Sequence, residues 1–348
     1  MSLRLLENAP LAGLNTFGVA ARARRLVMLE DERDLPQALA ALADGPRLVL
    51  GAGSNVLFAG DFDGTILLMR TRGRQVLGDG HGAPFNRIAV AAGESWDETV
   101  TWTLEEGLAG LENLAMIPGT CGAAAIQNIG AYGVELCDRF DSLRAVDMDS
   151  GEAREFGLAD CRFDYRDSLF KQAGGRHWLI LTLRLRVGAG QRPVLQYGEL
   201  ASALTAEGGP PGEPVAARIA AAVRAIRSRK LPDPTVLGNA GSFFKNPVVS
   251  AEAARELRVR EPGMPGHPVT AAGEDRVKLS AGWLIERCGW KGFRQGDAGV
   301  HQAHALVLVN HGQASGREIA ALAERIRQSV HERYGVWLEA EPSIIGGS

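Results

Sequence analysis

Between Ile117 and Gly133 the chain reads Ile-Pro-Gly-Thr-Cys-Gly-Ala-Ala-Ala-Ile-Gln-Asn-Ile-Gly-Ala-Tyr-Gly. Gly119, Gly122, Gly130 and Gly133, with a block of alanines, strip side-chain bulk from the whole stretch. Such a segment forgoes core burial unless something else fills the space, and a flat or extended ligand would fill it. A second small-residue stretch, Gly51-Ala52-Gly53-Ser54-Asn55, follows the apolar run Arg47-Leu48-Val49-Leu50, as an anion-binding loop should. Its glycines expose backbone N–H groups, and Ser54 and Asn55 add donors. It lacks the third glycine and following helix of a Rossmann fingerprint, and the Gly-Lys-Ser/Thr of a Walker loop. Taken alone it reads equally well as a tight turn. Two such loops in different parts of the chain suggest one large dinucleotide spanning both.

A chain of 348 residues holds two or three domains at roughly 150 residues each. A net charge of −3 gives no reason to expect a polyanion partner. No apolar run approaches the roughly 20 residues of a membrane helix, and Met1 to Pro10 lacks the pattern of a signal peptide. The four cysteines show no CxxC spacing, so free thiols and a cytoplasmic setting are expected. His301 and His304 lie three apart without further ligand-type residues, and no metal is expected.

Asp31 to Asp44 reads as a helix, and Arg47 to Leu50 and Ile66 to Met69 as strands. Ile88 to Ala91 opens a second unit, whose helix is announced by Ser95 with Glu98 three residues on. Leu179 to Val187 alternates apolar with polar residues and is the clearest strand. Ala201 to Pro214 reads as a linker or long loop, and Val215 to Lys230 as a helix with Val215, Ile219, Val223 and Ile226 inward. Pro262 to Gly273 reads as a loop, Leu279 to Arg287 as a helix, and Ala305 to Val309 as a strand. Arg317 to Tyr334 is an amphipathic helix, and Val336 to Glu341 reads as a strand.

In Gly238-Asn239-Ala240-Gly241-Ser242-Phe243-Phe244-Lys245-Asn246-Pro247 a serine sits among small residues. Locally this is a turn leading into a strand that begins at Phe243. Arg166, in Phe163-Asp164-Tyr165-Arg166-Asp167-Ser168, is suited either to a bidentate carboxylate ligand or to an ion pair with Asp164 or Asp167. Tyr197 reads as a packed ring in a loop.

Together these segments resemble the UDP-N-acetylenolpyruvoylglucosamine reductase (MurB) family, in its longer type I branch. The matching runs are Asn15 to Gly18, Gly51 to Phe58, Gly110 to Leu114, Ile117 to Leu136, Tyr165 to Lys171, Lys230 to Pro234, Gly238 to Pro247, Ala281 to Ile285 and Val336 to Glu341. The resemblance implies an α+β chain. A two-subdomain FAD-binding fold of the vanillyl-alcohol-oxidase (PCMH) type, residues 1–73 and 74–228, would precede a substrate-binding domain, residues 229–348. It implies non-covalent FAD held by Gly51, Ala52, Gly53, Ser54, Asn55, Ile117, Pro118, Gly119, Gly122, Ala123, Ile126, Gln127, Ile129, Gly130, Ala131, Tyr132 and Gly133. NADPH would be the hydride donor and UDP-N-acetylglucosamine enolpyruvate the substrate of a step in peptidoglycan precursor synthesis. By position, Ser242 matches the proton donor, Arg166 a carboxylate-polarising residue and Glu341 a second acid. Tyr165, Tyr197, Arg227, Lys230, Asn246, Lys278, Lys291 and His304 match substrate contacts. What lowers the proton affinity of the serine is open, and Lys245 is one candidate.

Departures from the pattern are Ser343, where a basic residue is common, and His267, where an aromatic contact is expected. A flavin-dependent carbohydrate or alcohol oxidase of the same fold is the competing reading. Such oxidases often attach FAD through a histidine near the first glycine loop, and no histidine occurs between Met1 and Gly80. A monomer with neither nucleic-acid nor membrane partners is expected.

Overall fold

The computed structural model describes residues 3–78, 85–188, 191, 193–195, 198–206, 215–271 and 274–347. The chain divides into two compact units. One comprises Met1–Ala9, Ala23–Gly53 and Asp63–Arg229, and the other Pro10–Arg22, Ser54–Phe62 and Lys230–Ser348. Two short early segments, 10–22 and 54–62, thus group with the C-terminal part of the chain.

In the first unit, a four-stranded sheet runs in the order Arg4–Pro10, Arg22–Leu29, Phe62–Met69, Arg47–Leu50. The last two strands are parallel, with Leu48 opposite Ile66 and Leu50 opposite Leu68. The helix expected from Asp31 to Asp44 is shorter, at Leu35–Ala41. A single 3-10 turn, Glu32–Asp34, precedes it, with the Asp31 side chain accepting from the Arg33 amide. Pro36 falls in the first helical turn, where its missing N–H costs nothing.

A five-stranded antiparallel sheet has the order Ala153–Phe156, Phe140–Asp147, Trp178–Val187, Asn86–Ala91, Arg74–Gly78. Its central strand buries Leu179, Leu181, Leu183, Leu185 and Val187, as their alternation requires. The Cys121–Gln127 helix packs on this strand and on Asn86–Ala91. Ser95 caps the Trp96–Glu105 helix by accepting from the Glu98 amide at 3.4 Å. Where a linker is expected from Ala201, the chain instead forms a helix, Gly198–Ala206, with Leu200 fully buried. Its alanines and leucines favour helix, and the glycines and prolines that suggested a loop begin only at 208, outside the described residues. The Val215–Lys230 helix has the expected bounds and buries Ile219, Val223 and Ile226. Val215, however, is exposed in its first turn.

The second unit contains a sheet ordered Gly238–Ser242, Val307–Asn310, Ala298–Val300, Arg294–Gln295. A three-stranded sheet is ordered Val248–Ser250, Glu274–Leu279, Gly266–Ala271. The region expected to be a loop after Pro262 is therefore largely strand. Val277 and Leu279 are buried either side of Lys278, a strand period that the flanking glycines and prolines obscured. The Gly316–Tyr334 helix starts at a Ser315–Glu318 capping box and ends at Gly335, whose φ is 69°. Ile319, Leu322, Ile326 and Val330 form its buried stripe. Val336 to Glu341 does not form the expected regular strand. It makes one isolated bridge, Phe244 to Ala340, and the regular strand is Ser343–Ile345, parallel to Val56–Phe58. The first ladder stops there because the Phe243 amide donates to the Leu306 carbonyl and the Ser343 amide to the Asn55 carbonyl. Among the described residues, no helix is long and apolar enough to cross a membrane.

Candidate active site

The first unit brings the two glycine-rich stretches together. A Cβ added at Gly51 would lie 2.4 Å from Thr120 Oγ1, so only glycine permits this contact. Thr120 also bridges to Ser95, at the start of the Trp96–Glu105 helix. Within Ile117–Gly133, Cys121, Gly122, Ala124, Ala125, Asn128 and Ile129 turn inward. Ile117, Pro118, Gly119, Ala123, Ile126, Gln127, Gly130, Ala131, Tyr132 and Gly133 remain solvent-accessible. The result is an accessible face of small and apolar groups, with one amide side chain, beside the Gly51–Gly53 loop. That face fits a flat, partly apolar dinucleotide such as FAD.

Asn128 shapes this face, and sequence reasoning did not single it out. It ends the Cys121–Gln127 helix at φ 42° and is fully buried. Its amide donates to Glu135 Oε2 and to the Asp164 carbonyl, each at 3.0 Å, and its Oδ1 accepts from the Cys137 amide. Lys171, also missed as a site residue, donates to Gln127 Oε1 at 2.8 Å and to the Arg166 carbonyl at 3.1 Å. An asparagine beside glycine-rich sequence is a signal for a left-handed helix end; the Lys171 contacts are visible only in three dimensions.

Arg166 lies in a tight turn closed by reciprocal backbone bonds between Asp164 and Asp167. Its φ is 54°, rare for a residue with a side chain. Its guanidinium donates to the Gly130 carbonyl at 2.5 Å and to the Asn128 carbonyl at 3.4 Å, and lies 5.3 Å from the Tyr165 ring centroid. Arg227 is half-buried in the same unit, and its Nε has no hydrogen-bond partner among the described residues. Burial lowers its pKa, while Tyr132 and Asp97 favour its charge and Arg166 opposes it.

In the second unit, Ser242 ends a strand rather than occupying a simple turn. Asn239 pairs with Val309 and Ser242 with Val307, leaving one extra residue on the serine's strand. This bulge is made by Gly241 at φ 69°, and the Gly241 amide donates to Asn239 Oδ1 at 2.9 Å. Immediately beyond, the Glu341 amide donates to the Phe243 carbonyl at 2.8 Å. Asn55 Nδ2 reaches the Glu341 carbonyl at 3.3 Å, and the Ser343 amide returns to the Asn55 carbonyl at 3.1 Å. Ser242, Glu341 and Asn55 are thus gathered locally. Lys245 is not committed to the serine, because its Nζ pairs with Glu339 at 2.5 Å. Asn246 has a structural task, its Oδ1 accepting from the Ala281 amide at 3.0 Å.

A cationic neighbourhood surrounds His304. Burial lowers the pKa of His304, and the nearby charges of His301, Lys230 and Lys291 lower it further. The Nδ1 atoms of His304 and His301 have no partner among the described residues, and Lys291 pairs with Glu286 at 2.9 Å. Lys278 stands opposite His267 and Val248 on the central strand of its sheet, and His267 is exposed. Tyr197 lies outside the described residues.

The UDP-N-acetylenolpyruvoylglucosamine reductase of Pseudomonas aeruginosa is 51% identical over 346 residues, covering 99% of this chain and 100% of that protein. The chain belongs to the UDP-N-acetylenolpyruvoylglucosamine reductase family. The family member from Paraburkholderia phymatum is likewise 51% identical, covering 98% of both chains. Residues 233–345 match the family's C-terminal domain, and residues 23–157 match the FAD binding domain. The crystal structure of the Thermus caldophilus member superposes with a TM-score of 0.67 at 25% identity, covering 99% of this chain and 100% of that one. The expected FAD-binding fold is therefore the fold of this family member, and FAD is its cofactor. The FAD-binding match includes both the Gly51–Asn55 loop and the Ile117–Gly133 face.

Proposed function

We propose that this chain reduces UDP-N-acetylglucosamine enolpyruvate to UDP-N-acetylmuramate, with NADPH as electron source, in peptidoglycan precursor synthesis. The observation that carries the reading is the bond between Glu341 and Phe243, which draws two distant acid candidates, Ser242 and Glu341, onto adjacent backbone segments. Bound FAD would supply hydride chemistry, accepting two electrons from NADPH and passing them to the enolpyruvyl β-carbon. The chain's own residues complete the reaction. Ser242 delivers a proton to the α-carbon, so one NADPH and one proton are consumed and NADP+ is released. Arg166 offsets the negative charge that develops on the substrate carboxylate. Glu341 serves as the second acid of this chemistry.

Residues 229–348 act as the substrate domain in this scheme, with 1–73 and 74–228 holding FAD. Lys230, Lys278, Lys291 and His304 supply cationic and polar contacts suited to a nucleotide diphosphate. Tyr165, Tyr197, Arg227 and Asn246 complete the substrate contacts. The deciding experiment is anaerobic steady-state oxidation of NADPH by the FAD-loaded protein. Turnover that requires the enolpyruvyl nucleotide supports the reading. NADPH oxidation indifferent to that substrate would sink it.

A further inference from the structure

Segments 243–245 and 339–341 make a ladder with a single bridge. The Lys245 amide donates to the Glu339 carbonyl at 2.9 Å, and the Glu341 amide to the Phe243 carbonyl at 2.8 Å, on either side of the Phe244–Ala340 bridge. That pattern sets Lys245 directly opposite Glu339 and Phe243 opposite Glu341. Two backbone bonds specify a register weakly, and the ladder goes no further because the Phe243 amide donates to the Leu306 carbonyl and the Ser343 amide to the Asn55 carbonyl. A slip of one residue would carry the Glu341 side chain to the other face.

The side chains add what the backbone lacks. Lys245 is only 12% exposed, and its Nζ lies 2.5 Å from the Glu339 carboxylate, which is 71% exposed. Glu339 is the ionic partner of Lys245 among the described residues, so a slipped register would strand a mostly buried ammonium. The preceding residues are anchored separately. Val336 and Leu338 are buried, and Trp337 stacks on His331 at 3.8 Å, with Arg327 4.4 Å from its ring centroid. Loss of the Lys245–Glu339 pair should therefore disturb 339–341 while leaving 336–338 in place.

We infer that Lys245 is a positioning residue, whose ion pair with Glu339 holds Glu341 in register with the Ser242 segment. The inference rests on the roles proposed above for Ser242 and Glu341. Lys245 itself moves neither hydride nor proton.

The test separates the two half-reactions by stopped flow in the FAD-loaded protein and follows amide exchange at Lys245 and Glu341. Lys245→Met and Glu339→Gln should leave flavin reduction by NADPH unchanged and slow reoxidation by the enolpyruvyl substrate about 10- to 100-fold. Lys245→Arg, which keeps the charge, should reoxidise near the wild-type rate. Both amides should exchange faster in the first two variants. Ser242→Ala is run beside them. Normal reoxidation in Lys245→Met and Glu339→Gln, with Ser242→Ala slowed, overturns this inference alone. Equal losses in both half-reactions also overturn it, since that marks a general structural role. Normal reoxidation in Ser242→Ala overturns the functional reading, and this inference with it.

Discussion

Glu341 is tied through its amide to the carbonyl of Phe243, the residue after Ser242, at 2.8 Å. The 339–341 segment is therefore held beside Ser242, which follows a bulge in its own strand. A bulge re-aims the side chain beside it, which is why such irregularities recur next to reacting groups. Gly241, at φ 69°, makes the bulge, and Asn239 Oδ1 holds the glycine's amide.

Ser242→Ala removes the hydroxyl and leaves the bulge intact. Flavin reduction by NADPH should be retained, while reoxidation by the enolpyruvyl substrate slows about 10²- to 10⁴-fold, the usual range for a lost proton donor. Rapid-mixing absorbance of the flavin reads both steps. Equal loss in the two would remove the proton-donor role.

The contact between Gly51 and Thr120 predicts a compensating pair. A methyl at position 51 would sit 2.4 Å from Thr120 Oγ1 and 3.2 Å from Cγ2. Gly51→Ala should cost about 1–3 kcal/mol, as overpacking commonly does. Thr120→Ala deletes both offending atoms, so the double variant should regain most of that loss. Urea unfolding of the four proteins, with retained FAD measured by absorbance, decides it. Additive losses would mean that the two residues do not share the clash.

His304 predicts an acid-sensitive native state. Burial is the largest cause of its lowered pKa, and His301, Lys230 and Lys291 push in the same direction. The unfolded histidine takes its proton near pH 6.5. Below that value the unfolded chain gains protons that the native site resists, so stability falls as pH drops through 6.5 toward the native pKa. Above 6.5 the group contributes no slope. His301 and His311 are shifted the same way, so His304→Gln should lessen the loss of thermal stability between pH 7.5 and 5 without abolishing it. An unchanged slope would place the acid sensitivity elsewhere.

The readable parts of the fold were those whose order is local. The alternation in Trp178–Val187 and the stripe in Gly316–Tyr334 are written into neighbouring residues, and both elements formed as expected. The small residues of Gly238–Ser242 carry no period and locally favour a turn. The segment is a strand only because Val307–Asn310, far along the chain, pairs with it. Gly266, Pro268 and Gly273 hide the period of the antiparallel strands Gly266–Ala271 and Glu274–Leu279 in the same way. At the candidate site, glycine-rich composition marked the two loops, but their mutual contact through Thr120 depends on packing between distant segments. The Lys245–Glu339 pair was equally invisible, because spacing offered no reason to join those two residues.

Arg166 allows backbone strain and charge to be separated. Its left-handed φ of 54° disfavours any residue with a Cβ, whereas its guanidinium bonds to the Gly130 and Asn128 carbonyls tie the turn to the glycine-rich face. Arg166→Ala keeps the strain and loses the charge, and Arg166→Gly loses both. The glycine variant should unfold at higher temperature than the alanine variant, by a margin equivalent to about 1 kcal/mol. Both should share the same defect in the substrate half-reaction, because neither can offset charge on the enolpyruvyl carboxylate. Flavin reduction by NADPH should survive in each, provided FAD is saturating. Should Arg166→Gly recover the substrate half-reaction while Arg166→Ala does not, the backbone conformation and not the guanidinium would be what the reaction needs at this position.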